Sequence, residues 1–318
     1  MEGIHLDRVP VTRLESSSPY CARYSLEDEA LQASIQRLGV CFPVLAQADS
    51  LTLIAGHKRV HAARACGVKD LPVLLLEGAP SPRDLYILSL LSNWRQQLSD
   101  LDRVWALHRA GQVHGFEEKE LLTEIIPLLG LPSGRQTIEE ARSLKLLDTS
   151  VLSAIAAGRI AYRGAAGLAG FSSLEQLFFV NTIAAQAAFS SSQAAQAVEW
   201  LRDLTKLEGL DLESYWKKGF PDWDSGVSRD RKAAGEKAFQ RLRELRFPKL
   251  CDRQKRFLKA AHDVAGEVSW LHLEAPLAFE DRGLTLQARL RDPAALDALL
   301  EVLAAKRSSI HGLFEIVL

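Results

Sequence analysis

Cysteine is scarce and scattered in this chain. Cys21, Cys41, Cys66 and Cys251 form no CxxC pair and lie far apart, which excludes the spacing of a zinc site and of a disulfide framework. Cys41 and Cys66 read as small core residues rather than nucleophiles. Long apolar runs are missing too. None approaches the roughly 20 residues of a membrane span, and MEGIHLDRVP lacks the pattern of a secretory signal. The expectation is a cytoplasmic protein with no membrane partner. Net charge is all but absent: 39 Lys and Arg stand against 40 Asp and Glu, leaving −1. A protein that wraps nucleic acid usually carries a clear positive excess, so any such excess here has to be local. Residues 226–260 supply one, with twelve basic and four acidic side chains, a local +8. A run of this kind is either a solvated face or a surface that attracts phosphate.

What is present is an ordinary balance, 47% hydrophobic and 25% charged, over 318 residues. That length holds two or three domains with cores of their own. The predicted fold class is α+β, with a small mixed α/β module at 1–80, an all-α domain at 81–210, a linker and basic segment at 211–250, and a small α+β domain at 251–318.

The module is predicted from alternation and punctuation. Ile4 to Val9 reads as an edge strand, Ser25 as the cap of a helix from Leu26 to Leu38, and Gly39 as its stop. Pro43 to Ala48 and Leu51 to Ala55 read as strands around a tight Asp49-Ser50 turn, and Leu71 to Glu77 as another. Between them LTLIAGHKRVHAARA passes from strand through Gly56 into helix. Such a joint leaves amide N–H groups unpaired at the positive end of the helix dipole, beside His57, Lys58, Arg59 and His61. The joint suits a bound phosphate, or it is simply a tight turn with cations facing solvent.

From Pro82 to about residue 217 the pattern is helical, with Ser99 and Asp102 spaced as a capping box. Glu117 to Leu129, a turn at Gly130 to Gly134 and a helix from Gln136 to Leu147 have the look of a helix-turn-helix, which ordinary helix pairs share. Arg135, Gln136, Thr137 and Arg142 stand where DNA contacts would fall, with Lys145, Arg159 and Arg163 as further cations, although Glu139 and Glu140 would repel phosphate. Ala184 to Leu204 reads as one structural helix and Asp211 to Ser228 as a linker. The basic segment reads as helical around Ala238 to Leu245. Beyond it, VSWLHLEAPLAF and LTLQARL read as strands, Pro293 to Ala305 as a helix capped by Asp292, and LFEIVL as a closing strand.

Taken in order, these pieces resemble the ParB-like partition proteins from about Ile4 to Gly170. IAGHKRVHAARACGVKDLPV resembles the family segment built on G-E-R-R and an alanine-rich helix, and PYCARYSLEDEAL its upstream P-Y-Q-P-R segment. LSNWRQQLSDLDRV is similar to the later E-N-x-x-R segment with one residue deleted. GLPSGRQTIEEARSLKLL and AGRIAYRGAAGLAGF resemble the recognition helix and its successor. The resemblance implies a ParB/sulfiredoxin-like module followed by a helix-turn-helix domain, working as a homodimeric, CTP-regulated clamp on double-stranded DNA, with a partition ATPase as a further partner. It implies Arg23, Gly56, His57, Lys58 and Arg59 at the nucleotide, and Asn93 beside the triphosphate and its Mg²⁺. Three positions depart from the family: His57 and Ser92 stand where it has Glu, and Lys58 where it has Arg. A point charge replaces a planar fork, and a hydroxyl replaces a carboxylate ligand of the metal, so weak or absent hydrolysis is expected. The alternative is a phosphotransferase or small-molecule kinase on the same fold. Sulfiredoxin chemistry is not expected, because the loop has no cysteine. A module that only scaffolds other proteins is the third reading.

Overall fold

The computed structural model describes residues 3–15, 18–78, 80–93, 98–223, 230–265, 270–276 and 279–317. The chain divides into two compact units, Met1–Glu236 and Lys237–Leu318.

The first unit begins with β1 (Ile4–Pro10), α1 (Glu29–Leu38), β2 (Val44–Gln47), β3 (Leu53–Ala55), α2 (His57–Ala65) and β4 (Asp70–Leu76). The sheet runs in the order β1-β4-β2-β3, with β1 on an edge as its alternation suggested. The pairs β1/β4 and β2/β3 are antiparallel, while β2 and β4 run parallel. Every second residue of β4 (Leu71, Val73, Leu75) meets Val44, Ala46 and Leu53 of the sheet and Val60 and Ala63 of α2. Burying each large aliphatic side chain there stabilises the module by about 1.5–3 kcal/mol. α1 begins at Glu29, with the Asp28 carboxylate accepting from the Leu31 amide, so the cap lies three residues beyond the predicted Ser25. Cys41 is exposed and Cys66 only partly covered, against the expectation of core positions.

The helical part of this unit follows as α3 (Pro82–Asn93), α4 (Asp100–Gln112), and α5 (Glu118–Glu120) with α6 (Ile126–Leu129) flanking a π-helical turn. Next come α7 (Arg135–Ser143), α8 (Thr149–Ala156), α9 (Tyr162–Ala166), α10 (Ser173–Phe178), α11 (Ala184–Gln186), α12 (Ser191–Glu208) and α13 (Leu212–Gly219). The Ser99 and Asp102 capping box is present. Two predictions need correcting here. The 184–204 helix is two, because Ser190 forms a capping box with Gln193 and restarts the chain as α12. The 211–228 stretch is not all linker: Asp211 caps α13, Trp216 is buried, and its ring stacks on Phe220 at 3.9 Å. Aromatic packing overrides a composition that pointed to a loop. Residues 224–229, including Arg229 of the basic run, lie outside the described residues.

Hydrogen bonds fasten the module to these helices. Ser89 of α3 donates to the Tyr20 carbonyl at 2.7 Å, and Tyr86 ties α3 to α4 through the Ala106 carbonyl at the same distance. Arg109 donates to the Pro19 carbonyl at 2.6 Å. The segment that carries Arg23 is thereby held from both sides.

α14 (Arg231–Arg246) runs across the boundary. The second unit continues with α15 (Pro248–Ala265), β5 (Leu271–Glu274), β6 (Thr285–Ala288), α16 (Pro293–Ala305) and α17 (Arg307–Val317). The basic run is therefore carried by two long helices. Of LFEIVL, residues 313–317 are the end of α17 rather than a strand, and residue 318 lies outside the described residues. Short apolar runs are ambiguous between the two, and Leu313 and Val317, four residues apart, both face the small core of Phe257, Ala261, Val264 and Leu273. Of VSWLHLEAPLAF only Leu271–Glu274 is a strand, and residues 268, 269, 277 and 278 lie outside the described residues. Among the described residues no helix is long and apolar enough to cross a membrane.

Gly56 adopts φ +94°, and a Cβ built there would lie 2.6 Å from Val44 Cγ1. Strain and overlap together set the expectation for Gly56→Ala, a loss of about 2 kcal/mol or more in urea unfolding with the m-value unchanged.

Candidate functional site

Four stretches of the first unit converge on one cavity of about 710 Å³: the segment carrying Arg23, the start of α1 (Asp28, Leu31), the approach to β2 (Phe42, Pro43), and the β3–α2 joint. Ser92 and Asn93 at the end of α3 close it. All six residues predicted to meet a nucleotide, Arg23, Gly56, His57, Lys58, Arg59 and Asn93, line this space. Gly56 is the N-cap of α2 and offers no side chain to its amides. The positive end of the helix dipole therefore faces the cavity without a capping oxygen.

Each cation in the wall has a protein partner. Lys58 Nζ lies 3.1 Å from Asp28 Oδ2. The Leu31 amide, more than Lys58, holds the Asp28 carboxyl below its usual range. Arg59 donates to the Phe42 carbonyl at 3.2 Å and to that of Pro43. Burial lowers its pKa, yet a guanidinium stays charged. Arg23 reaches Asp102 Oδ2 at 3.2 Å, with the two side chains 9% and 10% exposed. Asp102 also accepts from the amides of Tyr24 and Ser99, so it joins the Arg23 segment to the cap of α4. Asn93 Nδ2 and the Ser92 hydroxyl both donate to the Ser89 carbonyl.

His57 differs from its neighbours. It is 5% exposed, and its Nε2 is buried without a hydrogen-bond partner. Burial, with a lesser push from Arg109, brings the imidazole down to about 4, so it is neutral near pH 7 and adds no charge to the wall.

Mg²⁺ would find few protein oxygens here. Among the described residues the lining offers one carboxylate, Asp28, already shared by Lys58 and the Leu31 amide, beside the hydroxyl of Ser92 and the amide of Asn93. Mg²⁺ is commonly held by one or two carboxylates together with waters and a substrate's phosphates, and no group of three His, Cys, Asp or Glu suited to a metal occurs among the described residues.

A second concavity, of about 1070 Å³, is bounded by α4, the 130–134 turn, α7, α9 and the start of α12. Arg135, Gln136 and Arg163 line it, whereas Arg142, Lys145 and Arg159 are exposed outside its lining. Thr137 corrects an expectation. It is buried, and its hydroxyl donates to the Pro132 carbonyl at 2.7 Å, closing the turn instead of facing outward. Carboxylates temper the rest: Arg135 pairs with Glu118 at 2.8 Å, Arg142 with Glu139 at 2.6 Å, and Gln136 donates to Glu140.

Sequence reasoning missed Asp102 as the partner of Arg23, and Phe42, Pro43 and Leu31 as cavity wall. The first pair is separated by 79 residues, a distance at which no spacing signal exists. The proline after Phe42 was the only local cue for the others.

No family model matches the chain. A curated relative, the probable chromosome-partitioning protein ParB of Xylella fastidiosa (strain 9a5c), is 26% identical over 164 residues, which cover 46% of this chain and 52% of that protein. Over that stretch the chain is similar to ParB. It matches about half the length of that relative. Solved structures similar to this ParB-like chain include the C-terminally truncated chromosome-partitioning protein ParB from Caulobacter crescentus complexed to the centromeric parS site, at TM-score 0.34 and 17% identity, covering 61% of this chain and 98% of that one. The same protein complexed with CTP-gamma-S gives 0.26 and 20%, over 56% and 98%. A Pnob8-like ParB-N domain gives 0.35 and 14%, over 80% and 97%.

The buried neutral His57 sets a pH dependence. Unfolded, its ring titrates near about 6.5. Between that pH and about 4 the unfolded chain holds a proton that the folded chain does not, so stability falls on acidification, by about 2 kcal/mol from this group at pH 5. Urea unfolding at pH 7 and pH 5 is expected to show His57→Gln losing about 2 kcal/mol less than wild type over that interval.

Proposed function

We propose that this ParB-like chain is a DNA-binding partition or regulatory protein whose N-terminal module binds a nucleoside triphosphate, with CTP the nucleotide its kinship implies. One observation carries the reading: Arg23, Lys58 and Arg59 meet the uncapped N-terminus of α2 around a single cavity of about 710 Å³, a volume in the range of small-molecule sites. A triphosphate offers the oxygens that this set lacks. Its phosphates accept from the first-turn amides and from Arg59, and draw Lys58 away from Asp28.

The same contacts supply a route to DNA. Arg23 is bonded to Asp102, Asp102 with Ser99 caps α4, and α4 packs on α7, the helix that follows the 130–134 turn. A phosphate that engages Arg23 changes the load on Asp102 and so on the helices proposed to meet double-stranded DNA. These form the helix-turn-helix, with Arg135, Gln136 and Arg163 toward the groove and Arg142, Lys145 and Arg159 on its flanks. Action as a homodimer, with a partition ATPase as partner, belongs to this proposal.

Slow or absent turnover follows from the donor set. In-line phosphoryl transfer relies on a base that orients the nucleophile, and Asp28, the sole carboxylate among the described residues of the lining, is tied to Lys58. The same fact weighs against a small-molecule kinase.

The test is calorimetric titration with CTP and with ATP, with and without Mg²⁺, on wild type and Arg59→Ala. Wild type is expected to release heat, and the substitution to weaken binding at least tenfold. Equal binding by the two proteins would put the site elsewhere. DNA affinity is expected to fall by orders of magnitude between about 50 and 200 mM salt. A protein without DNA affinity at low salt, with or without CTP, would end the DNA half of the proposal.

A further inference from the structure

We infer that β1 is a pairing edge for a second copy of this chain: two β1 strands meet antiparallel about a two-fold axis at Leu6 and join two sheets into one. The pairing is independent of the nucleotide reading, since the described lining of the cavity contains no residue of β1. It gives the proposed homodimer a definite surface.

The order β1-β4-β2-β3 leaves the sheet two edges. The β3 edge is covered: the Glu15 amide bonds to the Leu51 carbonyl at 3.5 Å beside a bridge to Thr52, and the Ser18 hydroxyl donates to the Leu53 carbonyl. Among the described residues no such cover lies along β1, where Ile4 is 46% and Leu6 64% exposed. The bonds to β4 fix which groups face out. Glu77 donates to the Gly3 carbonyl and Val11 to that of Lys69, each at 2.8 Å. In the register that runs from Ile4 opposite Leu76 to Pro10 opposite Asp70, the odd-numbered residues of β1 therefore turn their amides and carbonyls to β4, while Ile4, Leu6 and Arg8 turn theirs outward. A row of outward backbone groups on an exposed apolar strand is a template for another strand.

The sequence of β1 complements itself in one register. Outward groups have to meet outward groups, so the two-fold of any extended pairing falls at His5, Leu6 or Asp7. A two-fold at Asp7 sets two carboxylates face to face and puts Pro10, which has no N–H, opposite Ile4. A two-fold at His5 puts Asp7 opposite Gly3, so that no opposite charges meet. At Leu6 every pair fits: Leu6 meets the partner's Leu6, Ile4 lies under the stem of the partner's Arg8, and His5 faces the partner's Asp7 on both sides of the axis. The outward residues of the two strands then exchange about six backbone hydrogen bonds. In the single chain the Arg8 amide donates to the Asp7 carboxylate at 2.7 Å. Pairing gives that amide to the partner's Ile4 carbonyl and releases Asp7 to the partner's His5. His5 Nδ1 already lies 3.2 Å from Glu77 Oε1, which leaves Nε2 for the new contact.

Disulfide cross-linking of the full chain reads the register. In a Cys41→Ser background, which removes the exposed native thiol, Leu6→Cys, His5→Cys and Asp7→Cys are oxidised singly, and the last two also as an equal mixture. Leu6→Cys is expected to link to itself. His5→Cys is expected to link to Asp7→Cys in the mixture about tenfold faster than either links to itself, because facing Cα atoms lie within disulfide reach, whereas two copies of residue 5, or of residue 7, are displaced along the strands beyond it. Sedimentation equilibrium gives a second reading. A strand pair of this length falls below the standard interface size, so wild type is expected to gain mass over roughly 10–100 μM. Leu6→Lys sets two ammonium groups on the axis at a position already exposed. It is expected to need at least tenfold more protein for the same gain, with its urea midpoint unchanged. Equal mass gain in wild type and Leu6→Lys would assign self-association to another surface and overturn the inference. Cross-links no faster than in the Cys41→Ser background would overturn it too, and His5→Cys linking to itself faster than to Asp7→Cys would overturn the register. None of these readings needs a nucleotide, so the pairing stands or falls apart from the cavity.

Discussion

The left-handed backbone at Gly56, pressed against Val44, is the constraint on which the rest of the first unit depends. It lets β3 end and α2 begin with Gly56 alone between them, so the first-turn amides of the helix open straight off a buried strand. A side chain at that position would have to displace Val44, which pairs with Val73 of β4 in the middle of the sheet. The shape of the pocket floor and the packing of the core are thus settled by the same atoms. That is why one glycine serves both.

Charge is arranged by neutralisation in place rather than by excess. The chain as a whole is at −1, and the cations of the cavity each carry a partner: a carboxylate for Arg23 and Lys58, two carbonyls for Arg59. The pairs differ in depth. Lys58 and Asp28 are about a third exposed, where solvent weakens the attraction and exchange with a ligand costs little. Arg23 and Asp102 are almost covered, and a buried pair that loses one member leaves an uncompensated charge, at a cost of about 3–5 kcal/mol. A phosphate could offset that cost on the Arg23 side, while Asp102 keeps two amide donors. On the proposed reading, the shallow pair suits ligand entry and the deep pair suits transmission.

The second unit is built more sparingly. Among the described residues, one cluster of six buried side chains gathers around Phe257, and the tail of α17 is fastened by Arg253, whose guanidinium donates to the carbonyls of Ile316 and Val317 at the negative end of that helix. Part of the basic run seen in the sequence is therefore spent internally. Glu244 takes up Lys255 and Arg241 as well. A positive count over a stretch of sequence overstates the charge that its surface presents.

Local pattern alone was enough for the alternation of β4, the cap at Ser99, the stop at Gly39, the edge position of β1 and the glycine joint at Gly56, because each rests on residues within a few positions of one another. It also sufficed to bring His57, Lys58 and Arg59 together. Tertiary structure decided the rest. Residues 313–317 became helix because Leu313 and Val317 had a core to face, and DLESYWKKG became helix because Trp216 found Phe220. Thr137 turned inward because the Pro132 carbonyl needed a donor. Arg23 found Asp102 across 79 residues, and Phe42 came to stand at the rim of a cationic cavity, through loops that the sheet and α3 bring into register. Hydrogen bonds and side-chain spacing along one element are short-range and can be read from the chain. Which distant groups share a cavity depends on how whole elements pack, and that information is held in no single stretch of the sequence.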